Sequence, residues 1–165
     1  MNLIFRLLWV ILTVRRRGRM GATDLSRFSL RCWPNDLDSN WHMNNGRYLT
    51  VMDLGRLDLI LRTGLWRVMR ERKWYPVVGT AKITFRRSIG PFDRFDLTTQ
   101  ILGWDEKWLY IEHRMEKDGV LMARGLVKGI FLSPDGKVPM ADLIAAAGYE
   151  GDTPQMDPGA VEALS

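Results

Sequence analysis

Two periodicities divide the chain. From Asn45 to about Arg72, apolar Tyr48, Leu49, Met52, Leu59, Ile60 and Val68 recur at spacings compatible with 3.6 residues, with Arg47, Asp53, Arg56, Arg62 and Arg70 between them. That pattern predicts one long amphipathic helix, with a break near Gly64. Beyond Pro76 the period becomes two: Val77, Gly79, Ala81, Ile83 and Phe85 share one face, and Thr80, Lys82, Thr84 and Arg86 share the other. Turns at Gly90-Pro91-Phe92-Asp93, Asp105-Glu106-Lys107, Lys117-Asp118-Gly119 and Pro134-Asp135-Gly136 divide the C-terminal half of the chain into further strands. An earlier strand is predicted over 28–33, ended by Pro34-Asn35-Asp36. Strands at such short spacing pair antiparallel. Gly79, Ala81, Gly103, Ala123, Gly125 and Gly129 fall on them. Small residues inside strands imply a bulky neighbour, and the long helix is the natural one. The expected class is α+β, an antiparallel sheet wrapped around one long central helix.

The segment 3–14 is apolar apart from Arg6 and Thr13, and Arg15-Arg16-Arg17 and Arg19 come directly after it. Twelve helical residues reach only about 18 Å, short of a hydrocarbon core of about 30 Å. The charge follows the apolar run instead of preceding it, and no small-residue cleavage site appears, so a secretory signal does not fit. The expected location is cytoplasmic, with this segment as a peripheral anchor at the inner face of a membrane. The alternative is packing on the protein itself or on a partner subunit. The expected organisation is an apolar and basic segment over 1–22, one domain over 23–147 and a flexible Gly-, Pro- and acid-rich tail over 148–165. Deletion of residues 1–19 is then expected to leave the fold intact.

The chain has 165 residues and a net charge of +5, but residues 1–31 carry seven Arg against one Asp and residues 32–165 carry 17 bases against 18 acids. A near-neutral body lacks the basic, aromatic-interleaved stripe of a nucleic-acid binder, and no nucleic-acid partner is expected. The single Cys32 excludes an intrachain disulfide, and two His exclude a three-histidine zinc site. No phosphate loop or G-x-S-x-G turn is present, and no cofactor is expected.

The densest chemistry lies just before the helix, in Asn35-Asp36-Leu37-Asp38-Ser39-Asn40-Trp41-His42-Met43-Asn44-Asn45-Gly46-Arg47-Tyr48. Asn44 or Asn45 can cap the helix, whose remaining N–H groups and partial positive charge can hold an oxyanion. With Asp38 a few ångströms away, a carbonyl bound between them would be polarised on its oxygen while the carboxylate served as general base or nucleophile. A thioester suits such a site, since sulfur donates weakly to the carbonyl and a thiolate leaves readily. Asp36 reads as a turn residue, His42 as either a backbone-bonded structural residue or a site residue, and His113 as a packed inward residue. Trp41, Trp104 and Trp108 read as core or interface aromatics.

Asp36-Leu37-Asp38, His42-Met43-Asn44-Asn45 and Tyr48-Leu49 resemble the D-x-D…H-x-N-N-x-x-Y-L segment of hotdog-fold thioesterases of the 4-hydroxybenzoyl-CoA type. The run is also similar to the D-L-D-x-N-x-H-x-N-N motif of plant acyl carrier protein thioesterases. With Leu102-Gly103-Trp104-Asp105, it most resembles the thioesterase superfamily member six group. The resemblance covers about residues 28–133. It implies a hotdog domain assembled as a homodimer or tetramer, with acyl-CoA or acyl carrier protein thioesters bound between subunits. It further implies Asp38 as catalytic carboxylate, Asn45 and Gly46 as oxyanion donors, and Asn40 and His42 in the site. Asn44 and Tyr48 complete the motif as substrate contacts. This chain is too short for the two fused hotdog halves of the plant enzymes, in which a further acid lies in the second half. Arg86 and Arg87, at a strand end, are candidates for CoA phosphates. The leading reading is thus an acyl thioester hydrolase, and the alternative is an acyl-binding or scaffolding protein at a membrane surface without useful turnover.

Overall fold

The computed structural model describes residues 3–165 and has the expected class. Helix α1 (Leu3–Arg17) leads to strand β1 (Ser26–Arg31), helices α2 (Asn45–Arg62) and α3 (Leu65–Arg72), then strands β2 (Tyr75–Phe85), β3 (Arg94–Trp104), β4 (Leu109–Lys117) and β5 (Val120–Ser133). A two-residue strand β6 (Gly136–Lys137) and helices α4 (Met140–Ala146) and α5 (Pro158–Glu162) close the chain. The sheet runs β1-β3-β4-β5-β2, antiparallel throughout, with β6 beside β5. One long helix against a curled antiparallel sheet is the hotdog arrangement. The predicted helix break falls where expected, at Gly64, whose φ of +79° favours glycine and separates α2 from α3. The first strand sits two residues earlier than predicted, at 26–31.

Alternation on the strands sets the core. Tyr48, Val51 and Met52 of α2 pack on Phe95, Leu97, Met115 and Ala123, and toward the other end Leu59 meets Ile101, Leu109 and Phe131. The helix lies so close to β3 that a Cβ at Gly55 would stand 2.0 Å from Thr99 Oγ1. Of the strand glycines assigned to the helix, only Gly125 meets it, against Met52 Sδ. Gly79 accommodates the Trp108 ring and Gly103 accommodates Met156, while a Cβ at Gly129 would meet the Val77 carbonyl. The expectation of one bulky neighbour is thereby corrected: the bulk lies on both faces of the sheet.

The second face is covered by the C-terminal stretch, which was expected to be flexible. Ala160 and Leu164 of that stretch are buried with Tyr110 and Leu126, and Thr153 Oγ1 accepts from Trp104 N at 2.9 Å. Its composition hides an apolar series, Met156, Ala160 and Leu164, four residues apart. Asp157 caps α5 by accepting from Gly159 N, and Pro158 stands next at the first helical position, a helix-start signal in the sequence.

The N-terminal segment is likewise built into the fold. Arg6 donates through both Nη atoms to Asp36, and through Nη2 to the Arg31 carbonyl at 2.8 Å. Arg17 donates to Asp58 Oδ1 from Nε at 3.0 Å and Nη2 at 2.6 Å, and Ser26 Oγ donates to Asp58 Oδ2 at 2.6 Å. Asp36 and Asp58 are buried, so losing residues 1–19 would leave each without a principal cation. Each acid keeps a longer contact from α2, Arg47 Nε on Asp36 at 3.6 Å and Arg62 Nη1 on Asp58 at 3.4 Å, so the segment is tied to the fold by the shorter pair of each.

Candidate active site

The segment joining β1 to α2 is folded by its own backbone. After a single 3-10 turn at Pro34–Asp36, Leu37 and Met43 bridge antiparallel, and Asp38 N donates to the His42 carbonyl at 2.9 Å. Asn44 N donates to the Asp36 carbonyl and Met43 N to the Ile89 carbonyl, each at 2.8 Å. Residues 38–42 therefore form a short loop presented at the start of α2, with Trp41 at φ +58° at its tip. Asp38 Oδ1 accepts from Asn40 N at 2.8 Å, an Asx-turn that fixes the carboxylate. Oδ2 has no hydrogen-bond partner among the described residues. Asp38 is half-buried, and Ser39, Asn40, Trp41 and His42 are exposed.

The carboxylate lies within electrostatic reach of the first turn of α2. Burial pushes the Tyr48 hydroxyl above its ordinary pKa, a hydrogen bond with the Ile89 backbone opposes the shift, and the Asp38 charge adds to it. Tyr48 also meets Phe85 edge-on, ring centroids 5.0 Å apart. Asn44 caps the helix by accepting from Gly46 N at 2.9 Å. Of the two expected oxyanion donors, the Gly46 N–H is thus engaged by the cap, while the Asn45 N–H donates to no described group. Asn44, Asn45 and Gly46 are exposed.

Arg86 and Arg87 lie where β2 ends, both exposed, with their N–H groups on the Met122 carbonyl at 2.8 and 3.0 Å. The chain continues to Ile89, whose carbonyl accepts from Met43 N. Backbone pairing therefore brings this arginine segment alongside the Asp38 loop.

Sequence reasoning missed two features. Asp36, read as a turn residue, is instead a buried hub that accepts from Arg6 and, at 2.8 Å, from Trp33 N. The interruption of an apolar run by Arg6 was the available signal. A cavity of about 250 Å3 opens between the C-terminal half of α2 and the sheet, lined by Leu59, Ile60, Val77, Ile111, Val127 and Leu143 among others. Its apolar residues come from separated stretches of chain, so no local pattern announces it.

A polar chain crosses that half of the molecule. His113 is fully buried, as its inward register implied, with Nδ1 2.9 Å from Thr99 Oγ1 and Nε2 3.1 Å from Arg56 Nη1. A guanidinium only donates, so Nε2 accepts and the ring proton sits on Nδ1, directed at Thr99. Burial, with the Arg56 charge beside it, holds the His113 pKa well below the ordinary histidine value. Arg56 lines the cavity and pairs with the more exposed Asp53. Among the described residues no group of three His, Cys, Asp or Glu is placed to hold a metal, and no helix is long and apolar enough to cross a membrane.

Residues 32–163 match the thioesterase-like superfamily. The chain is 41% identical over 91 residues to Protein THEM6 of Danio rerio, covering 54% of this chain and 45% of that protein. It is 30% identical over 108 residues to a probable thioesterase of Saccharomyces cerevisiae, covering 63% and 46%. The chain spans about half the length of the curated relatives it matches. The crystal structure of a DHNA-CoA thioesterase from Staphylococcus aureus superimposes with a TM-score of 0.67 at 17% identity, over 75% of this chain and 89% of that one, a likeness of fold.

Proposed function

The chain belongs to the thioesterase-like superfamily, and from that premise we propose that it hydrolyses acyl-CoA thioesters with Asp38 as the catalytic carboxylate. What supports the reading is the short loop that carries Asp38 and leads directly into α2, with Oδ1 accepting from Asn40 N and Oδ2 without a hydrogen-bond partner among the described residues. As general base, Oδ2 takes a proton from water as the water oxygen attacks the thioester carbon. The carbonyl oxygen then carries the negative charge, stabilised by the helix dipole and the Asn45 N–H, with Gly46 N–H joining where the Asn44 cap yields. Collapse breaks the C–S bond, and the proton held by Asp38 passes to the thiolate. Acid and free thiol leave, and the carboxylate is restored. Attack by Asp38 itself, through an anhydride that water then opens, is the other route open to the same carboxylate.

CoA is favoured as the carrier because the S. aureus protein that shares this fold is named a CoA thioesterase, and because the Arg86–Arg87 segment runs beside the Asp38 loop. The exposed Asn40, His42, Asn44 and first turn of α2 would then contact the pantetheine arm, Tyr48 would close the inner wall, and the apolar cavity farther along α2 would take the distal part of a long acyl group. The cavity reaches Val77 on β2, an eleven-residue edge strand with one side unpaired among the described residues. Long edges of this kind are covered in natural proteins. A second copy pairing there would cover it and enclose the site, which supports a homodimer. Thiol release measured across an acyl-CoA panel, short to long and aliphatic to aromatic, tests the reading. Hydrolysis of at least one substrate well above buffer is expected, whereas binding without turnover on every member would favour the non-catalytic acyl-binding alternative.

A further inference from the structure

Helix α1 is built inside out. At about 100° per residue, Arg6, Val10, Thr13 and Arg17 fall on one face, and Ile4, Leu8, Ile11, Leu12 and Arg15 fall within a ~100° arc on the opposite face. The first set faces the protein: Arg6 is 1% exposed on Asp36, Val10 is fully buried, and Arg17 reaches Asp58. The second set faces outward: Ile4 is 59% exposed and Leu12 75%, and Phe5 beside them is 61% exposed. A surface helix ordinarily turns its apolar stripe inward. Here the polar face is consumed by buried ion pairs, which leaves the apolar face as the outer surface of the molecule.

We propose that α1 lies flat on an anionic lipid bilayer, its outer stripe among the acyl chains and its C-terminal arginines at the headgroups. Charge selects this occupant. The helix contains no Asp or Glu, and exposed Arg15, Arg16 and Arg19 stand at the C-terminal end of the stripe. A second copy docked face to face would bring like-charged stripes together with no acid on either to offset them. An anionic headgroup layer offers the reverse, apolar depth beneath a negative surface. At 15 residues α1 extends about 22 Å, enough to lie in the interface and too short to span it. The docking claim stands on α1 alone and holds whether or not the chain turns over a thioester.

Flotation of the full chain with phosphatidylcholine vesicles, with and without phosphatidylglycerol, tests it. The protein is expected to float with the anionic vesicles, to float less in high salt, and to lose flotation in Ile4→Ser/Leu8→Ser/Leu12→Ser, whose changes are all on the outer face. Arg15→Gln/Arg16→Gln should reduce the preference for anionic lipid while leaving residual binding. Thermal melting and hydrolysis of a water-soluble short-chain thioester, both unchanged in these variants, separate loss of docking from loss of fold or of activity. A wild-type chain that stays at the bottom with both vesicles overturns the proposal. So does a vesicle-free wild-type oligomer that the triple serine variant dissociates, since the stripe would then be a contact between copies.

Discussion

The Arg6 guanidinium and the Asp36 carboxylate form a buried, two-pronged ion pair that joins α1 to the loop carrying Asp38. The two residues are 30 positions apart, and both are nearly inaccessible to water. Asp36 also accepts from Trp33 N and its carbonyl from Asn44 N, so one residue anchors the N-terminal helix, the 3-10 turn and the cap of α2.

Removing Arg6 leaves the buried Asp36 charge with only the longer contact to Arg47 Nε at 3.6 Å. Arg6→Ala should cost about 3–5 kcal/mol in denaturant unfolding. Asp36→Ala should cost a similar amount, and the double variant should lose less than the sum of the two. A loss within experimental error for Arg6→Ala would mean that α1 is not held by this pair.

Gly55 and Thr99 make a second testable contact. A Cβ at position 55 would overlap Thr99 Oγ1, and Leu97 Cδ2 lies 3.2 Å from the same point. Gly55→Ala should destabilise by about 1–3 kcal/mol through overpacking. Thr99→Ala removes the clashing oxygen but leaves His113 Nδ1–H without its acceptor, so the two changes should be less than additive. Strict additivity in thermal or chemical denaturation would contradict the close approach of α2 to β3.

His113 gives the fold a pH dependence of known sign. Its folded pKa is depressed, so below about pH 6.5 the unfolded chain binds a proton that the folded chain does not, and stability falls as the pH falls. As the pH falls below about 6.5 the slope should rise toward, and not exceed, about 1.4 kcal/mol per pH unit from this one group. The carboxylates whose pKa values lie below normal, Asp93, Asp96 and Asp105, act only at lower pH. His113→Gln should flatten the slope in this window, and an unchanged slope would assign it to another group.

The cavity makes a prediction about chain length. Val127 is buried and lines it, and Val127→Phe would fill part of that space. Activity on long acyl-CoA should fall by about tenfold or more while short-chain substrates change little, the size of effect a few methylenes produce in an apolar pocket. Equal losses across the panel would place the acyl group elsewhere.

Much of the fold was legible in the sequence because it is written in local periods. The switch from 3.6 to 2 after Pro76 marks the helix and the strands, Gly64 marks the break, and the inward register of His113 gives its burial. The Asp38 loop was legible as composition, two carboxylates and several Asn just before a helix, although one of the two, Asp36, serves the fold. What escaped was long-range pairing. Arg6 and Asp36 read separately as an interruption and a turn, and the contacts of Gly79 with Trp108 and of Gly103 with Met156 depend on which face of the sheet each element covers. The ordering of 148–165 was masked by its Gly and Pro content, although Asp157-Pro158 and the four-residue apolar spacing were present. The inverted face of α1 could not be read from its composition, because only the buried acids on other elements show which side is inward.

The central claim is that the Asp38 carboxylate does the chemistry at the start of α2, and Asp38→Asn tests it most directly, since asparagine retains an oxygen to accept from Asn40 N and so keeps the loop. With folding verified by thermal melting, kcat on the best acyl-CoA substrate should drop by about 100-fold or more with KM little changed, the loss of a group used in the transition state. Equal kcat values for the variant and the parent protein would contradict the account.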